Sequence, residues 1–85
     1  MLQPKLTKVE PIARMKLWLY YETGEVKLFD VAPYATGSWY GMLQDDAYFN
    51  RVQLLSDGSG IEWPDGQDVA PYELYENSVA IKKTA

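Results

Sequence analysis

Not one of the 85 residues is a cysteine, so a chain this short must be held in its fold by packing alone. A folded protein of this size buries only about 64% of the surface its unfolded chain exposes, which leaves room for one well-packed core. The 47% hydrophobic content supplies that core, and the chain reads as one domain, with a core over about residues 5–77 and a tail over 78–85. Histidine is absent as well. Without these two residue types there are no thiol nucleophiles, no thiolate or imidazole metal sites and no Ser-His-Asp triads.

Charge divides the chain unevenly. The net charge is −4, yet residues 1–44 carry five basic and four acidic groups, whereas residues 45–76 carry eight carboxylates against Arg51 alone. An acidic half repels phosphate, so nucleic-acid binding is disfavoured. A basic protein partner is the complementary expectation, with Asp45, Asp46 and Glu73 as candidate steering residues, set against the plainer reading of ordinary solubilising surface. Pro4, Lys5, Lys8 and Glu10 interrupt any leader-like apolar run, and the strongest apolar stretch, Leu17 to Tyr21, is too short to span a bilayer. A cytoplasmic protein with no membrane segment is expected.

The strongest local pattern lies between Met15 and Val31, where two β-rich runs flank Glu22-Thr23-Gly24-Glu25. A two-residue Thr23-Gly24 loop would pair Tyr21 with Val26, Leu19 with Leu28 and Leu17 with Asp30 on one face. Trp18 would then pair with Phe29, and Tyr20 with Lys27, on the other. Leu6 to Glu10 reads as an added edge strand before Pro11, with Lys8 guarding the edge. Ser38 is a candidate N-cap for a short helix whose Trp39, Met42 and Leu43 recur at i, i+3, i+4 and so predict a core face.

Beyond Phe49, Val52 and Leu54 alternate, a Ser56 to Gly60 loop follows, and Ile61 and Trp63 resume, which predicts a second hairpin with Trp63 buried. Pro64-Asp65-Gly66 suits a type I turn. Pro71 opens a last short helix at its first position, with Glu73 in the first turn and Val69 and Leu74 placed as a hydrophobic staple. Val79 and Ile81 fit either one more strand or a loose end. Asp-Val-Ala-Pro-Tyr occurs at 30–34 and again at 68–72, each time between a predicted strand and a helical turn; two such copies solve one chain-reversal problem twice and do not form an array.

No spacing specifies a reaction. Asp45, Asp46, Asp65 and Asp68 offer carboxylate pairs without a second catalytic group, and Asp57, Asp65 and Asp68 lack the ligand spacing of a calcium loop. Gly58-Ser59-Gly60 lacks the third glycine and following helix of a phosphate cradle. No enzyme activity, cofactor or metal is expected.

The stretch with Leu43, Asp45, Phe49 and Val52, then Ile61-Glu62-Trp63-Pro64-Asp65-Gly66, Asp68, Pro71 and Leu74-Tyr75, resembles the bacterial domain of unknown function 2442. Gly24 and the Phe29-Asp30 strand end fit the same pattern, and the resemblance covers about residues 7–76. It implies an α+β fold, a small two-layer domain of three antiparallel strands, a helix, a β-hairpin and a short helix, and it implies no established activity. Relatives are often encoded beside a small toxin-like protein, and some carry a DNA-binding helix-turn-helix. This sequence shows no such module after residue 76, which points away from an autonomous repressor.

The expected function is therefore a non-catalytic protein-interaction or adaptor domain, antitoxin-like in its most concrete form, whose partner is a small basic protein or a second copy. The alternative is a nucleic-acid-associated transcriptional regulator, for which strand aromatics could stack bases. Trp18, Tyr20 and Phe29 are the candidate aromatic patch, a second packed layer or a partner-binding surface, since three such side chains approach or exceed what a monomer ordinarily leaves bare.

Overall fold

The first hairpin decides which side chains become core. In the computed structural model, which describes residues 3–12 and 15–80, β1 (Leu6–Ile12), β2 (Lys16–Tyr21) and β3 (Val26–Asp30) lie antiparallel in sequence order. The β2–β3 loop has three residues, not two: the Tyr21 N–H donates to the Glu25 carbonyl at 2.9 Å, the Gly24 N–H donates to Tyr21 O, and Gly24 takes φ +94°. A turn closed by a left-handed glycine is the usual three-residue hairpin loop, and Gly24 supplies that conformation without a Cβ penalty.

The extra loop residue slides the register by one and overturns the expected pairs. Leu17 faces Phe29, Leu19 faces Lys27, Trp18 faces Leu28 and Tyr20 faces Val26. Because side chains alternate with period two, this slip carries Phe29 and Lys27 to the inner face and leaves Val26 and Leu28 on the outer one. Leu17, Leu19, Tyr21 and Phe29 are all buried. Lys27 is buried with them, but its Nζ reaches the Tyr75 carbonyl at 2.6 Å and sits 3.8 Å from the centroid of the Tyr75 ring. Its aliphatic stem packs inside while its charge meets a helix-end carbonyl and an aromatic face.

β1 is the edge strand expected, and it extends through Pro11 to Ile12. A bulge between Leu6 and Lys8 changes the side-chain parity, so that Leu6 points inward opposite Tyr21, while Val9 and Pro11 still face Leu19 and Leu17. The Tyr21 amide points to β3, so by alternation those of Tyr20, Trp18 and Lys16 point to β1. Their partners Lys8, Glu10 and Ile12 turn their own amides inward, which leaves Val9 and Pro11 facing out, and Pro11 has no N–H to offer. At its start β1 is covered: Leu6 N–H donates to Gly58 O at 2.8 Å, and a Cβ added at Gly58 would meet Leu6 O at 2.9 Å.

The other layer is short and irregular. A 3₁₀ turn (Ala32–Tyr34) leads to α1 (Gly37–Tyr40), a second 3₁₀ turn (Gly41–Gln44) and α2 (Asp46–Phe49). The single expected helix is thus broken in two. Its N-cap is Thr36, which leaves Ser38 inside α1. The tighter winding at Gly41 brings residues three apart into line and turns the next one away, so Trp39, Met42 and Leu43 do not share a face. Leu43 is fully buried, whereas Trp39 and Met42 are 47% and 37% exposed. β4 (Gln53–Leu54) and β5 (Ile61–Glu62) form the second hairpin, followed by a Trp63–Gly66 turn and by α3 (Pro71–Glu76), which Pro71 opens as expected. β6 (Val79–Ala80) then returns to pair with Leu28 and Lys27, giving the sheet a fourth strand; Ile81 lies outside the described residues. The architecture is α+β.

Both Asp-Val-Ala-Pro-Tyr copies do the same work. Val31 and Val69 enter the core, and each proline stands within the first two positions of a helical turn. The copies also meet, since the Tyr34 hydroxyl donates to Glu73 Oε2 at 3.2 Å.

Trp63 joins the layers. It is 1% exposed, packs 5.6 Å from Phe49 centroid to centroid, and donates its indole N–H to Phe49 O at 2.9 Å. Beside it the fully buried Gln67 accepts from the Tyr48 hydroxyl at 2.8 Å and donates to Trp39 O at 3.0 Å, so its amide is paired at both ends. Replacing Trp63 by Ala should cost about 3–5 kcal/mol through the cavity and the orphaned carbonyl. Chemical denaturation checks this, and an unchanged midpoint would show that the side chain is peripheral.

Candidate functional site

The aromatic patch expected from sequence is split by the register. Phe29 lies inside, 5.4 Å from the Tyr34 ring, while Trp18 and Tyr20 remain together on the outer face of the sheet. Leu28 and Val26 replace Phe29 there. Across the sheet, Trp18 pairs with Leu28 and Leu28 with Val79, while Tyr20 pairs with Val26. Trp18, Tyr20, Val26 and Leu28 are half-buried, Val79 is 65% exposed, and none of the five belongs to the core. Leu43, Phe49, Ile61, Trp63 and Leu74 of the other layer all join the core on the opposite side.

Charged residues frame this outer face in equal numbers among the described residues. Lys16 pairs with Asp30 across β2 and β3. Tyr20 donates its hydroxyl to Glu10 Oε1 at 3.0 Å and carries Lys8 Nζ 5.2 Å from its ring centroid. The Glu10 carboxylate accepts the phenolic proton's hydrogen bond and so raises the Tyr20 pKa. The face is apolar in the middle and balanced at the rim.

A second surface is not legible in the sequence, where helical spacing places its apolar members, Trp39 and Met42, on a core face. Trp39 and Met42 project from the broken helix, and a Cβ added at Gly66 would sit 3.7 Å from Trp39 Cζ2. The Gln67 amide holds the backbone of Trp39 and lies 3.5 Å from Met42 Sδ, and the Tyr40 hydroxyl donates to Asp68 O at 3.0 Å. Asp45 follows directly, its N–H donating to Met42 O at 3.2 Å. Asp45, Asp46, Asp65 and Asp68, on the segments that adjoin this pair, are all exposed.

The remaining sequence candidates do not converge. Glu73 binds Tyr34 on the first turn of α3, and no hydrogen bond connects it to Asp45 or Asp46. Asp57 caps its own loop, accepting from the Ser59 N–H at 2.9 Å and hydroxyl at 2.7 Å, and these bonds hold its pKa below the ordinary carboxylate value. Among the described residues, no group of three or more carboxylates is placed to hold a metal ion. A shallow cleft of about 260 Å³ beside the Pro64 turn has Arg51 and Glu62 on its rim, and this opposed pair selects no ligand charge. No helix among the described residues is long and apolar enough to cross a membrane.

One titratable cluster lies at the junction of α3 and the sheet, with Tyr21 buried and Glu25 and Tyr75 partly so. The Tyr75 hydroxyl donates to Glu25 at 2.9 Å, and the Tyr21 and Tyr75 rings meet edge to face at 5.1 Å. Bonds from Thr23 and then Tyr75 hold the Glu25 pKa down, and the bond to Glu25 raises that of Tyr75. Burial pushes Tyr21 up to about 12, and its hydroxyl has no hydrogen-bond partner among the described residues.

Set beside known proteins, residues 6–80 match the family described as protein of unknown function (DUF2442). No curated protein and no solved structure matches the chain.

The tyrosine cluster fixes how stability must vary with pH. An unfolded tyrosine loses its proton near pH 10, while Tyr21 in the fold keeps it to about 12. Stability is therefore fully present below pH 10 and falls as pH rises through 12, where the unfolded chain binds fewer protons. Tyr21→Phe should flatten that decline and, by removing a buried unpaired hydroxyl, raise stability at neutral pH by about 1 kcal/mol. Thermal midpoints measured from pH 8 upward check both, and a variant less stable than the parent would mean that the hydroxyl is satisfied.

Proposed function

This chain belongs to the DUF2442 family, and we propose that it is a non-catalytic protein-interaction domain that pairs with a second copy of itself through the open face of its sheet. The observation that carries this reading is the apolar row Trp18–Leu28–Val79, with Tyr20 and Val26 beside it, which no second-layer element among the described residues covers. Aromatic side chains at the centre of such a face are the usual anchors of an interface. Charge favours a second copy as the occupant. The chain as a whole is acidic and repels itself, whereas this face, among the described residues, carries two lysines and two carboxylates and does not. In its finer form the role is that of an adaptor, antitoxin-like toward a small basic protein.

The test is the double variant Trp18→Ser/Tyr20→Ser, followed by sedimentation equilibrium and denaturation against the parent. The expected outcome is a folded monomer where the parent is a dimer. A parent that stays monomeric at millimolar concentration, or a folded variant that still pairs, would overturn self-association through this face. A variant that unfolds is replaced by Val79→Ser, whose side chain is the most exposed of the row and should weaken pairing without loss of fold.

A further inference from the structure

We infer that the surface around Trp39 and Met42 is a second docking site, one that receives a basic segment bearing exposed apolar side chains from a partner protein. This names the chemistry of the partner in the reading above, but it uses a different part of the molecule. An exposed tryptophan and an exposed methionine three residues apart form a small adaptable apolar anchor, of the kind that accepts varied hydrophobic side chains. They are not loose: Gln67 holds the backbone under Trp39, the Trp39 and Tyr40 rings meet at 5.1 Å, and the Gly66 turn lies beneath the indole. A rigid platform loses little entropy on binding.

Charge specifies what can cover it. Asp45 and Asp46 follow Met42 in the chain, Asp65 lies within the Trp63–Gly66 turn beside the indole, and Asp68 comes two residues after it; all four are exposed. Between residues 31 and 81 the sole basic side chain is Arg51, against eight carboxylates. A second copy of this acidic chain, a nucleic acid or an anionic lipid surface would each bring like charge to the patch. A segment with lysines or arginines around one or two apolar residues brings the opposite charge, and its apolar residues fill the anchor.

The experiment uses the full chain and three synthetic 14-residue helical peptides. The first combines lysines with leucines at i, i+3, i+4 spacing, the second replaces every leucine by serine, and the third replaces every lysine by glutamate. Calorimetry should detect the lysine–leucine peptide and not the other two, with binding weakened as salt rises. Trp39→Ser and the pair Asp45→Asn/Asp65→Asn should each weaken it at least about tenfold, as loss of an anchor or of a close charge pair does. Glu76→Gln, at the sheet end of α3, removes one charge from elsewhere and should change it less than about twofold.

Circular dichroism verifies the fold of each variant, and Met42→Ser stands in should Trp39→Ser fail to fold. The inference is overturned if Trp39→Ser binds as the parent does. It is equally overturned if Glu76→Gln costs as much as the aspartate changes, or if the lysine–serine peptide binds equally well, since attraction would then be a property of net charge. The Trp18→Ser/Tyr20→Ser variant should bind the peptide undiminished. If that folded variant loses the peptide, the peptide sits on the sheet and the Trp39 site is refuted. If it keeps the peptide while the parent proves monomeric, the sheet reading alone fails.

Discussion

A single left-handed residue, Gly24, sets the partition on which everything else in this structure depends. Its position as the third residue of the β2–β3 loop aligns Leu17 with Phe29 and Leu19 with Lys27, and so defines one face of the sheet as core. A two-residue loop would have sent Phe29 outward and drawn Leu28 and Val26 in. The observed arrangement buries the larger aromatic ring, and in return it must bury a lysine. That lysine is accommodated because α3 ends where its carbonyl at Tyr75 and the Tyr75 ring can receive the ammonium group. The packing of the last helix and the register of the first hairpin are in this sense one fact. β6 follows from it, because the chain leaving α3 already lies beside β3.

The parts of the fold that were legible in the sequence are those governed by local chemistry. Alternation marked β1, β2 and β3, Pro71 marked the start of α3, and the glycines of the 56–60 loop marked the second hairpin. Trp63 was recognisable as core because it alternates with Ile61 on a strand set opposite Val52 and Leu54. Register was not legible, since Thr23-Gly24 serves a loop of two residues as well as one of three, and only the long-range fit of Phe29 and Lys27 separates them. The Trp39–Met42 surface was hidden for a related reason. Helical spacing predicts a common face only while the winding stays α-helical, and the change to 3₁₀ geometry at Gly41 rotates Leu43 away from its two neighbours.

Gln67 gave no signal at all. A polar residue between Gly66 and Asp68 reads as loop surface, yet it is fully buried and ties Tyr48, Trp39 and Met42 to the second hairpin. Its role comes from partners 19 to 28 residues away, which no local pattern encodes. The same network explains why the irregular segment between α1 and α2 holds its shape without long helices. Every polar end of the Gln67 amide is paired, so the segment is pinned from within, and its apolar side chains can remain outside.

The proline in β1 has a consequence for how large an assembly of this protein can grow. Where a strand edge offers a repeating row of donors and acceptors, each added chain presents the same row again, and growth has no natural end. Here Pro11 withholds the donor at one of the two outward positions, and the Ser56–Gly60 loop occupies the start of the strand through Gly58. Association along the β1 edge is thereby denied a template. Association through a flat face under a twofold axis is of another kind, because each copy consumes the surface that recruited the other. If two copies pair through the sheet face as proposed, the stoichiometry is a property of the geometry: the pair saturates at two, and concentration can fill it but not lengthen it.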